Sequence, residues 1–151
     1  MSSAYATALR MLARRELSTA QIRDRLKQRG FTRGAIDEAV SRLTSNGSLD
    51  DARVARAVAR TRAHVKRQGR QRVARELALI GIPDQMTEAA LSEVFGDLDE
   101  AALLEQALER RLRGRISLAD PASRRRIVAA LVRQGFAPGA VVRAMRTRSR
   151  T

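Results

Sequence analysis

The sequence predicts an all-α protein: three tandem three-helix, helix-turn-helix-like repeats forming an elongated array that can curve. Three observations lead there. One residue pattern recurs three times along the 151-residue chain. Aromatic residues make up 3% against 44% hydrophobic, so burial must rest on Leu, Ile, Val and Ala, which suits helix packing. No stretch alternates apolar and polar residues over the length that a strand needs.

The recurring pattern lies at 22–31, 73–82 and 127–136. Each copy has a branched aliphatic (Ile22, Val73, Ile127), then a Leu four residues on (Leu26, Leu77, Leu131) on the same helix face. A Gly follows four residues later (Gly30, Gly81, Gly135), where a helix can end in the left-handed conformation that Gly adopts cheaply. The next residue is large and apolar (Phe31, Ile82, Phe136) and can fold back on the last turn. Another apolar anchor comes five or six residues after each Gly: Ile36, Met86 and Val141. Repeats of this kind bury a continuous core by stacking, which places them at 1–47, 48–96 and 97–151.

In repeat one, a first helix over 4–15 carries Ala8, Leu9 and Leu12 on one face. Ser18 and Gln21 form a capping box that opens the second helix. Thr32 caps a third helix to about Ser45, which Asn46-Gly47 stops. Repeat two opens at Asp50, the expected N-cap, with Asp51 suited to the helix dipole. Its second helix is expected over 70–80 and its third from Pro83-Asp84 to Phe95. Repeat three starts with a helix over 99–113. Asp120-Pro121 then gives an N-cap with Pro in the first helical position, and Ala137-Pro138 repeats the device for a shorter last helix.

The net charge is +14, which suits contact with a polyanion. Its placement is uneven. Residues 1–52 are mixed, with nine cations and six acids. The 53–75 block holds Arg53, Arg56, Arg60, Arg62, Lys66, Arg67, Arg70, Arg72 and Arg75 and no acid. The 76–109 block holds nine acids and no cation, and 110–151 returns to twelve cations, Arg124, Arg125 and Arg126 among them, against Asp120 alone. Blocks like these favour an interacting surface. At helical spacing, Val54, Val58, Thr61 and Val65 form a packing stripe, with Arg53, Arg56, Arg60 and Arg67 on roughly the other side. Guanidinium groups on such a ladder pair with phosphates or carboxylates. The partner-binding or DNA-binding residues expected are therefore the nine cations of 53–75 together with Arg124, Arg125 and Arg126.

Several function classes are poorly served. There is no Cys, and His64 is the single His, so a zinc site would need carboxylates almost alone. No Gly-rich phosphate loop of the ATPase kind is present. The acids Asp97, Asp99 and Glu100 cluster, but Asp97 belongs to the loop or cap before a helix, and paired-acid catalysis needs a pocket that short helices with few aromatics seldom build. Tyr5, Phe31, Phe95 and Phe136 are the only aromatics, too few for a base-stacking platform. No apolar run nears the roughly 20 residues of a membrane span. A non-enzymatic cytoplasmic protein is expected, monomeric and without cofactor or metal.

With Leu49-Asp50-Asp51-Ala52-Arg53-Val54-Ala55, then Gly69, Arg72, Val73, Glu76-Leu77 and Gly81-Ile82, the sequence resembles the RecX family of bacterial recombination regulators. That family's central signature is a Leu-Asp-Asp-x-Arg-Phe-Ala-like helix start, then Gly-x-x-basic-aliphatic-x-x-Glu-Leu and a terminal Gly-aliphatic. Arg29-Gly30-Phe31 and Gln134-Gly135-Phe136 fit its flanking repeats, so the resemblance spans essentially the whole chain. It implies tandem three-helix repeats, binding to RecA within the groove of its filament on single-stranded DNA, and inhibition of recombinase, ATPase and co-protease activities. Direct contact with single- or double-stranded DNA, with weak sequence preference, is expected alongside. Val54 and Val58 stand where family members commonly carry aromatics, and Gln71 where many have Pro. The alternative class is a plain DNA-binding helical array with helix-turn-helix-like units.

Overall fold

The computed structural model describes residues 2–96, 99–113 and 118–149. Every regular element among these is helical: α1 (Ala4–Arg14), α2 (Thr19–Gln28), α3 (Arg33–Ser45), α4 (Asp51–His64), α5 (Arg70–Leu79), α6 (Asp84–Gly96), α7 (Glu100–Leu112), α8 (Pro121–Gln134) and α9 (Pro138–Ser149). The last helix has 12 residues against 14 in α8, the shorter of the two as the sequence suggested.

Polar caps set most helix starts. Ser18 and Gln21 make a reciprocal capping box at α2, and Thr32 accepts from the Ala35 N–H at α3. The Asp50 carboxylate accepts from the Arg53 N–H. Asp99 and Asp120 cap α7 and α8, the latter ahead of Pro121. Asp51 does more than meet its own helix dipole, because its carboxylate accepts from the Thr19 N–H at 2.8 Å and so supports the first turn of α2.

The repeated Leu–Gly–apolar triplet acts as one device in all three copies. Gly30, Gly81 and Gly135 have φ of 89°, 81° and 110°. The N–H after each Gly bonds back to the Leu carbonyl: Phe31 to Leu26, Ile82 to Leu77 and Phe136 to Leu131. The Gly N–H groups bond to Lys27, Ala78 and Val132, completing a Schellman stop that satisfies two otherwise orphaned carbonyls. Leu26, Leu77 and Leu131 are wholly buried, so the same residue anchors the core and terminates its helix.

The chain divides into two compact units, Met1–Val58 with Leu77–Ala90, and Ala59–Glu76 with Leu91–Thr151. In the first, α1, α2 and α3 pack on one another around Ala8, Leu17, Ile22, Leu26, Leu43 and Leu49. In the second, α7, α8 and α9 pack mutually and bury Leu104, Leu108, Leu131, Phe136 and Val141.

Each unit contains the same joint between second helices of neighbouring repeats. In the first unit the buried Ser18 hydroxyl at the start of α2 donates to the Ile80 carbonyl at the end of α5. In the second, the Gly69 N–H at the start of α5 donates to the Gln134 carbonyl at the end of α8, at 2.9 Å. The Gln134 amide in turn donates to the Arg67 carbonyl at 2.6 Å. A group at a helix start thus meets an unpaired acceptor at a helix end, with opposite dipole ends in contact. Ser18→Ala removes both the cap and the donor to Ile80, and is expected to cost about 1–3 kcal/mol. Urea denaturation should show the shift in midpoint; an unchanged midpoint would mean that neither bond contributes.

Four packing expectations are corrected. Leu9 is 36% exposed, and α1 buries Ala4, Thr7 and Ala8 instead. On α4 the buried stripe is Val54, Ala55, Ala59 and Ala63. Thr61 is exposed and Val65 lies beyond the helix at 67% exposure. Alanine carries little hydrophobic weight in a pattern search, yet three alanines here are wholly buried. Met86 is exposed, because the buried position six residues after Gly81, matching Ile36 and Val141, is Thr87. Asp97 lies outside the described residues.

Candidate binding interface

The cations of 53–75 fall into two groups. The first is held in place by acids. Arg53, on the first turn of α4, pairs with Glu16 through Nε and Nη2 at 2.7–3.1 Å, and its other nitrogens donate to the Gly47 and Ser48 carbonyls just past α3. The Glu16 hydrogen bond raises the Arg53 pKa further, so it is a fixed cation that closes the end of α3. Within the second unit, Arg60 pairs with Glu93 at 3.0 Å. Arg62 Nε lies 2.7 Å from Glu76 Oε2, and Arg72 Nε lies 3.5 Å from Glu76 Oε1. That Oε2 takes no hydrogen bond, so the Arg62 contact is an ion pair rather than a directed bond. Glu76 therefore ties α4 to the start of α5. Arg56 and Arg70 are half-buried and make interactions of their own.

The second group has no acid attached. Lys66 and Arg75 are exposed and form no ion pair among the described residues. Arg67 sits beyond α4 with φ 52°, so it is not part of a helical ladder. On α8, Arg124, Arg125 and Arg126 are all exposed. Arg124 donates to the Leu118 carbonyl and Arg126 to that of Ala122. The cap before them, Asp120, is held below the usual carboxylate range by the Ser123 hydroxyl and then by the Ala122 N–H. Its capping contribution is thus present above the ordinary aspartate range and fades only as pH falls through that lowered value.

Counting charge along the chain missed a large basic concavity. A cleft of about 850 Å³ between α1 and α2 is lined by Arg10, Arg14, Arg15, Arg25 and Arg29, with Asp24 as its one acid. Arg10 and Arg14 are four residues apart on α1 and so point to one side, and Arg25 and Arg29 are four apart across the end of α2, where Arg29 is the C-cap. Residues 1–52 read as mixed although four of their other five acids are spent elsewhere: Glu16 on Arg53, Asp37 on Arg23, and Asp50 and Asp51 on helix starts. A helical-wheel projection of α1 and α2 would have found the cleft. No group of acids, His or Cys among the described residues could hold a metal ion, and none of the described helices is long and apolar enough to cross a membrane.

Comparison with known proteins agrees with this architecture. Family models for the first and second three-helix domains of RecX match residues 4–43 and 50–91. The regulatory protein RecX of Syntrophotalea carbinolica is 33% identical over 137 residues, 90% of each chain. That of Stenotrophomonas maltophilia is 36% identical over 92% of this chain and 83% of its own. The crystal structure of RecX from Lactobacillus salivarius superposes with a TM-score of 0.79 over 95% of both chains at 18% identity, a likeness of fold.

Proposed function

The chain belongs to the RecX family of regulatory proteins, and we propose that it binds RecA and the RecA filament on single-stranded DNA. Binding lowers recombinase, ATPase and co-protease activity without any reaction catalysed by the chain itself. It acts in the cytoplasm as a monomer that needs no cofactor. The observation that carries this reading is the division of its cations. Arg53, Arg60, Arg62 and Arg72 are committed to internal acids. Arg10, Arg14, Arg15, Arg25 and Arg29 in the first unit, and Lys66, Arg75 and Arg125 in the second, are left facing solvent.

Free cations in both units suit a ligand that repeats its negative charge over a distance, as a nucleoprotein filament does. Several weak contacts on one chain then add through effective concentration. Asp84, exposed at the start of α6, would be repelled by a phosphate backbone and favours a protein surface in part of the contact.

The test is the single-stranded-DNA-dependent ATPase of RecA, titrated with the protein over a salt series. The expected result is inhibition at protein well below RecA concentration, with preformed filament bound in preference to naked DNA. Equal affinity for both, with the steep salt dependence of phosphate contact alone, would instead identify a plain DNA-binding array. No effect on the ATPase would remove the RecA reading.

A further inference from the structure

We infer that the groove between α8 and α9 is a docking site for an acidic amphipathic helix presented by a partner protein. This goes beyond the RecA reading and holds whichever protein presents the helix. The groove encloses about 730 Å³. Val128, Val142 and Met145 form its apolar part, with Val142 36% exposed, and Arg124, Arg125 and Arg146 border it with no acid in the lining.

The other two repeats supply an internal control. Aligned on the terminal glycines, Val142 corresponds to Asp37 in repeat one and Glu88 in repeat two, and Val128 to Arg23 and Ala74. In repeat one those two positions close on each other as the Arg23–Asp37 ion pair at 2.6 Å. Arg125 corresponds to Ala20 and Gln71, and Arg146 to Ser41 and Ser92. The alignment is sound, because Ile36, Thr87 and Val141 are all buried at the matching position. Repeat three thus keeps the frame while replacing the Arg23–Asp37 pair of repeat one by two valines, adding Arg125 and Arg146, and opening an apolar floor. One exposed Val is ordinary on any surface. Its coincidence with three guanidinium groups at a concave site is a recognition surface.

The chemistry selects the occupant. A phosphate backbone could meet the guanidinium groups but would leave the Val128, Val142 and Met145 floor uncovered, and no aromatic residue lines the groove for base stacking. Arg124, Arg125 and Val128 lie on consecutive turns of α8, and Val142, Met145 and Arg146 follow i, i+3, i+4 spacing on α9. A third helix fits between such faces when it offers apolar residues at i, i+3 or i+4, and i+7. Glu or Asp flanking that stripe would meet the guanidinium forks in charge-assisted pairs.

The probe is a fluorescein-labelled peptide of about 15 residues, roughly four helical turns, with a Leu stripe flanked by Glu. Its binding to the full chain is read by anisotropy. Val142→Glu and Arg125→Glu should each weaken binding about tenfold or more, as truncation of a central interface residue does. Both side chains are exposed, so thermal melting should not move. Equal binding of a peptide with the same composition but no Leu stripe would overturn the proposal, as would variants that bind like the parent. Displacement of the peptide by oligothymidylate that both variants abolish would assign the groove to nucleic acid instead. Sedimentation showing a dimer that Val142→Glu dissolves would assign it to a second copy of the chain.

Discussion

Gly135→Ala is expected to lower stability by about 2–4 kcal/mol, the range of strain plus a steric clash at a fixed backbone. The residue has φ 110°, where an L side chain is strained. Its added Cβ would also lie 2.6 Å from Arg72 Cβ, 2.7 Å from the Gly69 carbonyl oxygen and 2.8 Å from the Arg72 nitrogen. Two of those atoms are backbone and cannot swing away. Any retreat would pull on the bond from the Gly69 N–H to Gln134. Gly30 offers the control, since it has the same role and a φ of 89° but nothing within 4 Å of its Cβ position. Gly30→Ala should therefore show conformational strain alone, about 1 kcal/mol. Urea midpoints of the two variants measure the difference. Equal losses would mean that the α5–α8 joint yields readily and contributes no rigidity.

Sequence showed the helices and their ends because the signals there are local. The Ser18 capping box, the Asp120-Pro121 start and the three glycine stops each depend on residues within one turn of each other. Packing was less legible where small or polar residues take core positions. Ala59 and Ala63 form the buried side of α4, and Thr87 takes the site expected of Met86. The binding surface was legible only as a surplus of charge. Whether an arginine is available depends on its partner across the fold, and Glu16, Glu76 and Glu93 are 37, 14 and 33 residues from the Arg53, Arg62 and Arg60 that they hold. Linear charge blocks consequently favoured 53–75, several of whose members are paired. They passed over 10–29, where five arginines face one cleft.

That distinction makes the sharpest functional prediction. Reversing Arg14 and Arg29 together to Glu should weaken binding to RecA-coated single-stranded DNA by about a hundredfold near physiological salt, if each contacts a phosphate. The salt dependence should change with it. Each phosphate that is no longer neutralised takes about 0.7 from the slope of log affinity against log salt for a single strand. Stability should hardly move, since both side chains are exposed and neither forms an ion pair among the described residues. Arg53→Glu should do the opposite. It breaks the Glu16 pair, strips the Gly47 and Ser48 carbonyls of their donor, and places two carboxylates face to face. The missing partner and the new repulsion should cost about 1–3 kcal/mol in folding. Filament affinity of the folded fraction should be nearly unchanged. Filament anisotropy and urea denaturation on the same two variants read both effects. If Arg53→Glu abolished binding while remaining as stable as the parent, and the Arg14/Arg29 double variant bound normally, the recognition surface would lie on α4 and the cleft would be only a solvated basic face.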